Sequence, residues 1–151
     1  LKEKMPANLL EYTVPLGVPE IIREGTDITV VSYGSTLRII EDAAQRLEEE
    51  GISVEIIDVQ TLLPFDRHHV IVESLKKTNK IAFVDEDVPG GAAAYMYNQV
   101  MEIQGGFRWM DGTPRTITAQ SHRPSYGSDG DYFSKPNADD LVTAFREMAM
   151  E

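Results

Sequence analysis

The sequence contains no cysteine. That absence excludes a disulfide framework, a zinc ribbon and a thiol nucleophile. No apolar run approaches the ~20 residues that span a bilayer. Leu1 to Met5 carry charge and lead into no apolar stretch, which argues against a signal peptide. The chain opens on Leu rather than Met, as a processed product or an excised piece of a longer chain would. Basic residues are scarce, with 14 Lys and Arg against 25 Asp and Glu and a formal net charge of −11. Nucleic acid needs cations to neutralise its phosphates, so DNA and RNA are poor partners. An anionic membrane surface repels such a chain for the same reason. Neither Gly-Lys-Ser/Thr nor Gly-x-Gly-x-x-Gly occurs, which removes the phosphate loop and the dinucleotide fingerprint. Gly-x-Ser-x-Gly is missing too, and with it the strained elbow of a serine hydrolase.

What remains is an ordinary globular composition of 151 residues, 42% hydrophobic and 26% charged. A chain of this length buries roughly 70% of its unfolded surface and needs no staple. Residues 1–25 hold Pro6, Pro15, Gly17, Pro19 and Gly25, a density of breakers that reads as an extended linker arm. Residues 26–151 then form the expected domain. Ile28 to Tyr33 is short and β-branched, a strand. Gly34-Ser35-Thr36 makes a turn whose hydroxyls can cap a helix. Leu37, Ile40, Ala44 and Leu47 recur at helical spacing, and Gly51 is placed to end that helix in a left-handed conformation. Val54–Val59, Ile81–Val84 and Arg115–Ala119 read as three further strands.

Helices are expected between and after these strands. Pro64 and Asp66 mark a start, Val70, Ile71, Ser74 and Leu75 give its face, and Lys76 and Lys77 complement its end. Gly90-Gly91 opens a helix carrying Ala92, Tyr95, Met96, Val100 and Ile103. Asn137 begins the last helix, with Asp139 and Asp140 in its first turn and Leu141, Val142, Phe145 and Met148 facing inward. Alternating strands and helices predict a mostly parallel sheet covered on both faces. Ligands on such sheets sit at the carboxyl ends of the strands.

The residues at those ends are candidates for chemistry. Gly34 and Ser35 precede a helix N-terminus, while His122 and Arg123 follow the last strand; together they form a candidate strand-end pocket. The ordinary reading is a plain turn at Gly34-Ser35 and a loop histidine at position 122. His68 and His69 are adjacent on the expected helix, so they point about 100° apart and make a poor metal pair. Asp85, Glu86 and Asp87 gather three carboxylates at one strand end. Such a cluster can act as acid or base, bind Mg²⁺, contact a cationic partner or simply be solvated. Segment 128–151 sets Asp129, Asp131, Asp139, Asp140, Glu147 and Glu151 against Lys135 and Arg146. A basic partner is what this surface would steer, and a solvated helix face is the ordinary reading. No catalytic constellation emerges, and such a domain is expected to be part of something larger.

Val14-Pro15-Leu16-Gly17, Arg23 to Thr29 and Tyr33-Gly34 resemble the opening of the C-terminal domain of transketolase-like enzymes. Gly51 to Asp66 (GISVEIIDVQTLLPFD) looks like the most diagnostic stretch of that domain. It is closest to the beta subunit of the decarboxylating component of 2-oxo acid dehydrogenases, of pyruvate or branched-chain type. The resemblance spans residues 12–104 and returns at Lys135 to Leu141. Asp85-Glu86-Asp87 stands where the family often has His-Glu-Ala, and Ser121-His122-Arg123-Pro124 where it often has Gly-x-Asp-x-Pro. Gly105 to Trp109 and Gly127 to Gly130 look like insertions.

The resemblance implies a three-layer α/β/α sandwich with a mostly parallel five-stranded sheet, whose fifth strand sits at an edge. It implies an enzyme that uses thiamine diphosphate and Mg²⁺ to decarboxylate a 2-oxo acid oxidatively and pass the acyl group to lipoyl. The cofactor does the carbanion chemistry. It lies between other domains of the enzyme, so no catalytic, cofactor or metal residue is expected on this chain. The implied partners are the other domains or subunits of the decarboxylating component, homodimer contacts within the full enzyme, and the peripheral binding domain of the dihydrolipoyl acyltransferase. The implied compartment is the cytoplasm in a bacterium and the mitochondrial matrix in a eukaryote. Two alternatives remain: the same domain from a transketolase or a deoxyxylulose phosphate synthase, and a free-standing small-ligand module built on the strand-end pocket. Candidate partner contacts are Asp85, Glu86, Asp87, Asp139, Asp140 and Glu147. Changing Asp139→Lys and Asp140→Lys together should weaken capture of the peripheral domain in a pull-down; unchanged affinity at low salt would place the contact elsewhere.

Overall fold

The computed structural model describes residue 5 and residues 7–123, 126–127 and 130–151. Pro6, Pro124, Ser128 and Asp129, with most of the charged segment Leu1 to Met5, lie outside the described residues. Five strands form one sheet: β1 (Glu20–Arg23), β2 (Ile28–Ser32), β3 (Val54–Asp58), β4 (Ile81–Val84) and β5 (Arg115–Ile117), in the order β1-β3-β2-β4-β5. β1 runs antiparallel to β3, and every other neighbouring pair is parallel. The helices are α1 (Thr36–Glu48), α2 (Val70–Thr78), α3 (Ala92–Tyr97), α4 (Gly130–Ser134) and α5 (Ala138–Met150). α3 continues into a π-helical turn, Asn98–Ile103, and a 3₁₀ turn follows at Gly106–Trp109.

Alternation along each strand divides the interior into two layers. Val30, Ile56, Ala82 and Val84 face α1 and α5, where Ile40, Leu47, Leu141 and Phe145 meet them. Val31, Ile57 and Phe83 face α2 and α3, against Ile71, Leu75 and Met96. The α/β/α sandwich with a mostly parallel five-stranded sheet is therefore observed. β2 is buried at every position, so its polar residues must be satisfied inside. Thr29 Oγ1 shares hydrogen bonds with Ser74 Oγ at 2.5 Å and Thr78 Oγ1 at 2.7 Å. The Ser32 hydroxyl donates to the Val84 carbonyl at 2.8 Å. Glu55 on β3 is fully buried and pairs with the Lys77 ammonium, while the Gly25 amide donates to it at 3.1 Å. Burial would raise its pKa, but the Lys77 and Gly25 hydrogen bonds outweigh that and hold it low.

Three local features differ from expectation. β1 lies inside the Pro- and Gly-rich segment 1–25 and supplies an edge of the sheet, because Ile21 and Ile22 pack partly against the two cores. His68 and His69 precede α2 rather than riding on it. His69 takes a left-handed conformation, and the Asp66 carboxylate accepts from the Val70 and Ile71 amides at 2.8 and 3.1 Å, fixing the helix start one residue later. Ser35 has helical dihedrals and makes no cap bond, since a capping side chain needs an extended backbone. Gly51 does end α1 at φ +82°, and Asn137 with Asp140 forms a reciprocal capping box on α5.

Gly25 lies closer to neighbouring backbone than the other described glycines. A Cβ there would stand 2.2 Å from the Glu55 nitrogen and 2.3 Å from the Val54 carbonyl carbon, both backbone atoms. Gly25→Ala should therefore destabilise by about 3 kcal/mol, which chemical denaturation would read directly. An unchanged unfolding midpoint would show that the β1–β2 turn can move aside.

Candidate functional site

The carboxyl ends of β2, β4 and β5 converge on one side of the sheet, and Asp85 is the group they share. It sits one residue past β4 and is 1% exposed. Tyr33, just past β2, donates its hydroxyl to Asp85 Oδ1 at 2.9 Å. The Asp87 amide donates to the same oxygen at 3.2 Å, and the Ala93 amide in the first turn of α3 donates to Oδ2 at 2.9 Å. Both oxygens are thus engaged in joining β2, the β4 loop and α3. Burial, followed by the hydrogen bond and charge of Asp85, pushes the Tyr33 hydroxyl up to about 12. Asp58, at the end of β3, is also raised by burial and accepts from the Gln60 amide at 3.0 Å.

The candidate pocket residues do not converge. Ser35 lines a cavity of about 570 Å³ with Arg38, Asp42, Glu86, Tyr132 and Lys135. Gly34 has φ +66° and open space around it. His122 and Arg123 are not among the lining residues of that cavity. The His122 ring nitrogen Nδ1 lies 2.9 Å from the Arg123 carbonyl, and the Arg123 guanidinium stands 4.6 Å from the centroid of the Tyr126 ring. A loop histidine bonded to nearby backbone is what the site contains.

The acidic candidates divide by what they touch. Asp85 faces inward and offers almost no surface to a partner, being 1% exposed with its oxygens accepting from Tyr33 and two amides. Glu86 is exposed and pairs with Lys135 at 3.2 Å. Asp87 is exposed and accepts from the Val88 amide at 2.8 Å. Asp139 accepts from the Tyr132 hydroxyl at 2.7 Å and pairs with Arg46 at 2.9 Å, which together hold its carboxyl below the usual range. Asp140 belongs to the capping box, so reversing its charge removes a helix cap as well as an acid. Glu147 pairs with Arg115 at 2.8 Å. Composition conceals Arg46, Arg115 and Lys135 as partners of these acids, since the fold alone brings them together. Tyr33 was equally hidden, and its only signal was its place at a strand end.

Both Asp85 oxygens accept internal hydrogen bonds, and no group of three His, Asp or Glu side chains placed to hold a metal is found among the described residues. What the geometry defines is a three-layer α/β domain whose strand ends lock its own loops together.

The chain belongs to the transketolase C-terminal domain family, whose model matches residues 17–134. It is 34% identical over 149 residues to the pyruvate dehydrogenase E1 component subunit beta of Acholeplasma laidlawii, covering 98% of this chain and 44% of that subunit. It is 32% identical over 155 residues to the 2-oxoisovalerate dehydrogenase subunit beta of Bacillus subtilis (strain 168), covering 99% of this chain and 45% of that subunit. The chain thus spans less than half the length of these relatives. Its fold matches a solved split-gene transketolase, described as an inactive beta4 tetramer, with a TM-score of 0.74 at 24% identity over 93% of this chain and 44% of the other.

The Asp85 junction generates a test. Asp85→Asn should destabilise by about 2 kcal/mol, as expected for a buried charged acceptor, and should let Tyr33 ionise nearer its ordinary 10 in an ultraviolet titration. A folded-state value raised above the unfolded one favours the native state below pH 10. That contribution fades as pH climbs through about 12. An unaltered tyrosinate titration in the variant would remove Asp85 from the account.

Proposed function

We propose that this chain is the C-terminal assembly domain of the beta subunit of a thiamine-diphosphate-dependent 2-oxo acid dehydrogenase. One observation carries the reading: similarity along 98% and 99% of the chain to beta subunits of a pyruvate and a 2-oxoisovalerate dehydrogenase. The domain contributes no catalytic group. The parent enzyme decarboxylates a 2-oxo acid oxidatively with acyl transfer to lipoyl, and cofactor and metal are held by its other domains. This chain's work is to bind those other domains or subunits and to dock the basic peripheral domain of the acyltransferase. The net charge of −11 supports a basic partner. Such a domain works where its enzyme does, in a bacterial cytoplasm or a mitochondrial matrix.

Titration calorimetry of the chain with thiamine diphosphate and Mg²⁺ should give no saturable heat in the micromolar range, and the chain should not turn over pyruvate or 2-oxoisovalerate. Saturable micromolar binding would overturn the assembly reading in favour of a cofactor-binding domain. Substrate profiling of the parent protein separates a dehydrogenase from a transketolase or a deoxyxylulose phosphate synthase.

A further inference from the structure

Among the described residues, β5 is paired on one side only. The Ile117 carbonyl accepts from the Asp85 amide at 3.0 Å, and the Ala119 amide donates to the Asp87 carbonyl at 2.9 Å. Odd positions therefore face β4. Alternation along an extended chain turns the amides and carbonyls of Thr116 and Thr118 outward. A row of this kind is a template for another extended chain. The opposite edge is not equivalent. β1 carries charges at both ends, Glu20 and Arg23, and its register with β3 breaks between Ile21 and Arg23. Bulges and edge charges are devices that discourage pairing.

A cavity of about 540 Å³ follows the β5 edge, lined by Pro89, residues 115–121 and Ala144 of α5. On the helix, Asp140 stands one turn before Ala144 and Glu147 one turn after, with Glu151 beyond. Arg115, at the start of β5, pairs with both Glu147 and Glu151. A cation leaving the sheet on the α5 side at this edge therefore reaches those carboxylates. A strand laid beside β5 would send alternate side chains to that same side, over the small Ala144 and between Asp140 and Glu147.

We propose that the β5 edge receives an extended peptide segment carrying Lys or Arg at alternate positions, which adds to the sheet as a further parallel or antiparallel strand. This rests on the basic-partner reading above and specifies the form in which a basic segment binds. Backbone pairing to Thr116 and Thr118 supplies register, and the α5 carboxylates select the charge.

The test is fluorescence anisotropy at low salt with the 151-residue chain and three labelled octapeptides: alternating Lys and Thr, the same peptide N-methylated at its backbone amides, and alternating Glu and Thr. The Lys peptide should bind saturably, and the other two should bind at least about tenfold more weakly. Thr116→Pro removes an outward amide that no β4 bond uses, so the fold should survive while Lys-peptide affinity falls about tenfold. Equal binding of the Lys peptide and its N-methylated form would overturn the edge proposal while leaving docking by charge intact. Binding of no basic peptide would overturn the edge proposal and the basic-partner reading together. A wild-type dimer in sedimentation that Thr116→Pro abolishes would overturn the proposal in favour of a second copy of this chain.

Discussion

A strand buried on both faces can carry a polar side chain only where the interior supplies its partner. β2 imposes that constraint at every one of its residues. Its consequences run outward through the molecule. Thr29 demands hydroxyls at Ser74 and Thr78, which fixes how α2 is rotated on the sheet. Ser32 demands the Val84 carbonyl, which binds the ends of β2 and β4 together. One residue further, Tyr33 and Asp85 repeat the same solution with a longer side chain and a charge. On β3, Glu55 is tolerated because Lys77 reaches it from α2. The polar contents of the interior thus form a set of crosslinks between layers that apolar packing alone would leave free to slide.

The surface follows a different economy. A net charge of −11 on a domain of this size implies strong self-repulsion, yet several of the acids have a cation assigned to them by the fold. Arg46 joins α1 to Asp139 on α5, Arg146 joins α5 to Glu50 beyond α1, and Arg115 joins β5 to Glu147. Exposed pairs of this kind contribute little individually. Together they tie α1, α5 and β5 to one another across the surface.

Much of this was legible from residue order, for identifiable reasons. Strands announced themselves where β-branched residues cluster, as in Ile28–Val31 and Val54–Ile57, even though Thr29 and Glu55 interrupt the apolar runs. The caps at Gly51 and Asn137 were legible because left-handed turns and capping boxes have short-range chemistry. β1 was hidden because Ile21 and Ile22 are too few to show a period, and proline and glycine surround them. His68 and His69 looked helical because apolar spacing cannot register a left-handed residue at the helix start. The strand-end site was the least legible. Whether Asp85 is a reactive acid or a structural one depends on Tyr33, 52 positions away, and on an amide of α3. Local pattern carries no information about such partners.

The sheet order also constrains the sequence of events as the chain leaves the ribosome. β1 and β2 precede β3 in the chain but are not neighbours; β3 lies between them. Neither strand has anything to pair with until residue 58 has emerged, when β3 can join both together. β4 then extends the sheet from the other side of β2, and the layer that α1 forms against β2 and β3 is completed only when α5 packs beside it. Until residue 58 has followed, the central strand is apolar and unpaired, the kind of surface that chaperones hold. Synthesis thus supplies the second helix of that layer only after the sheet it covers.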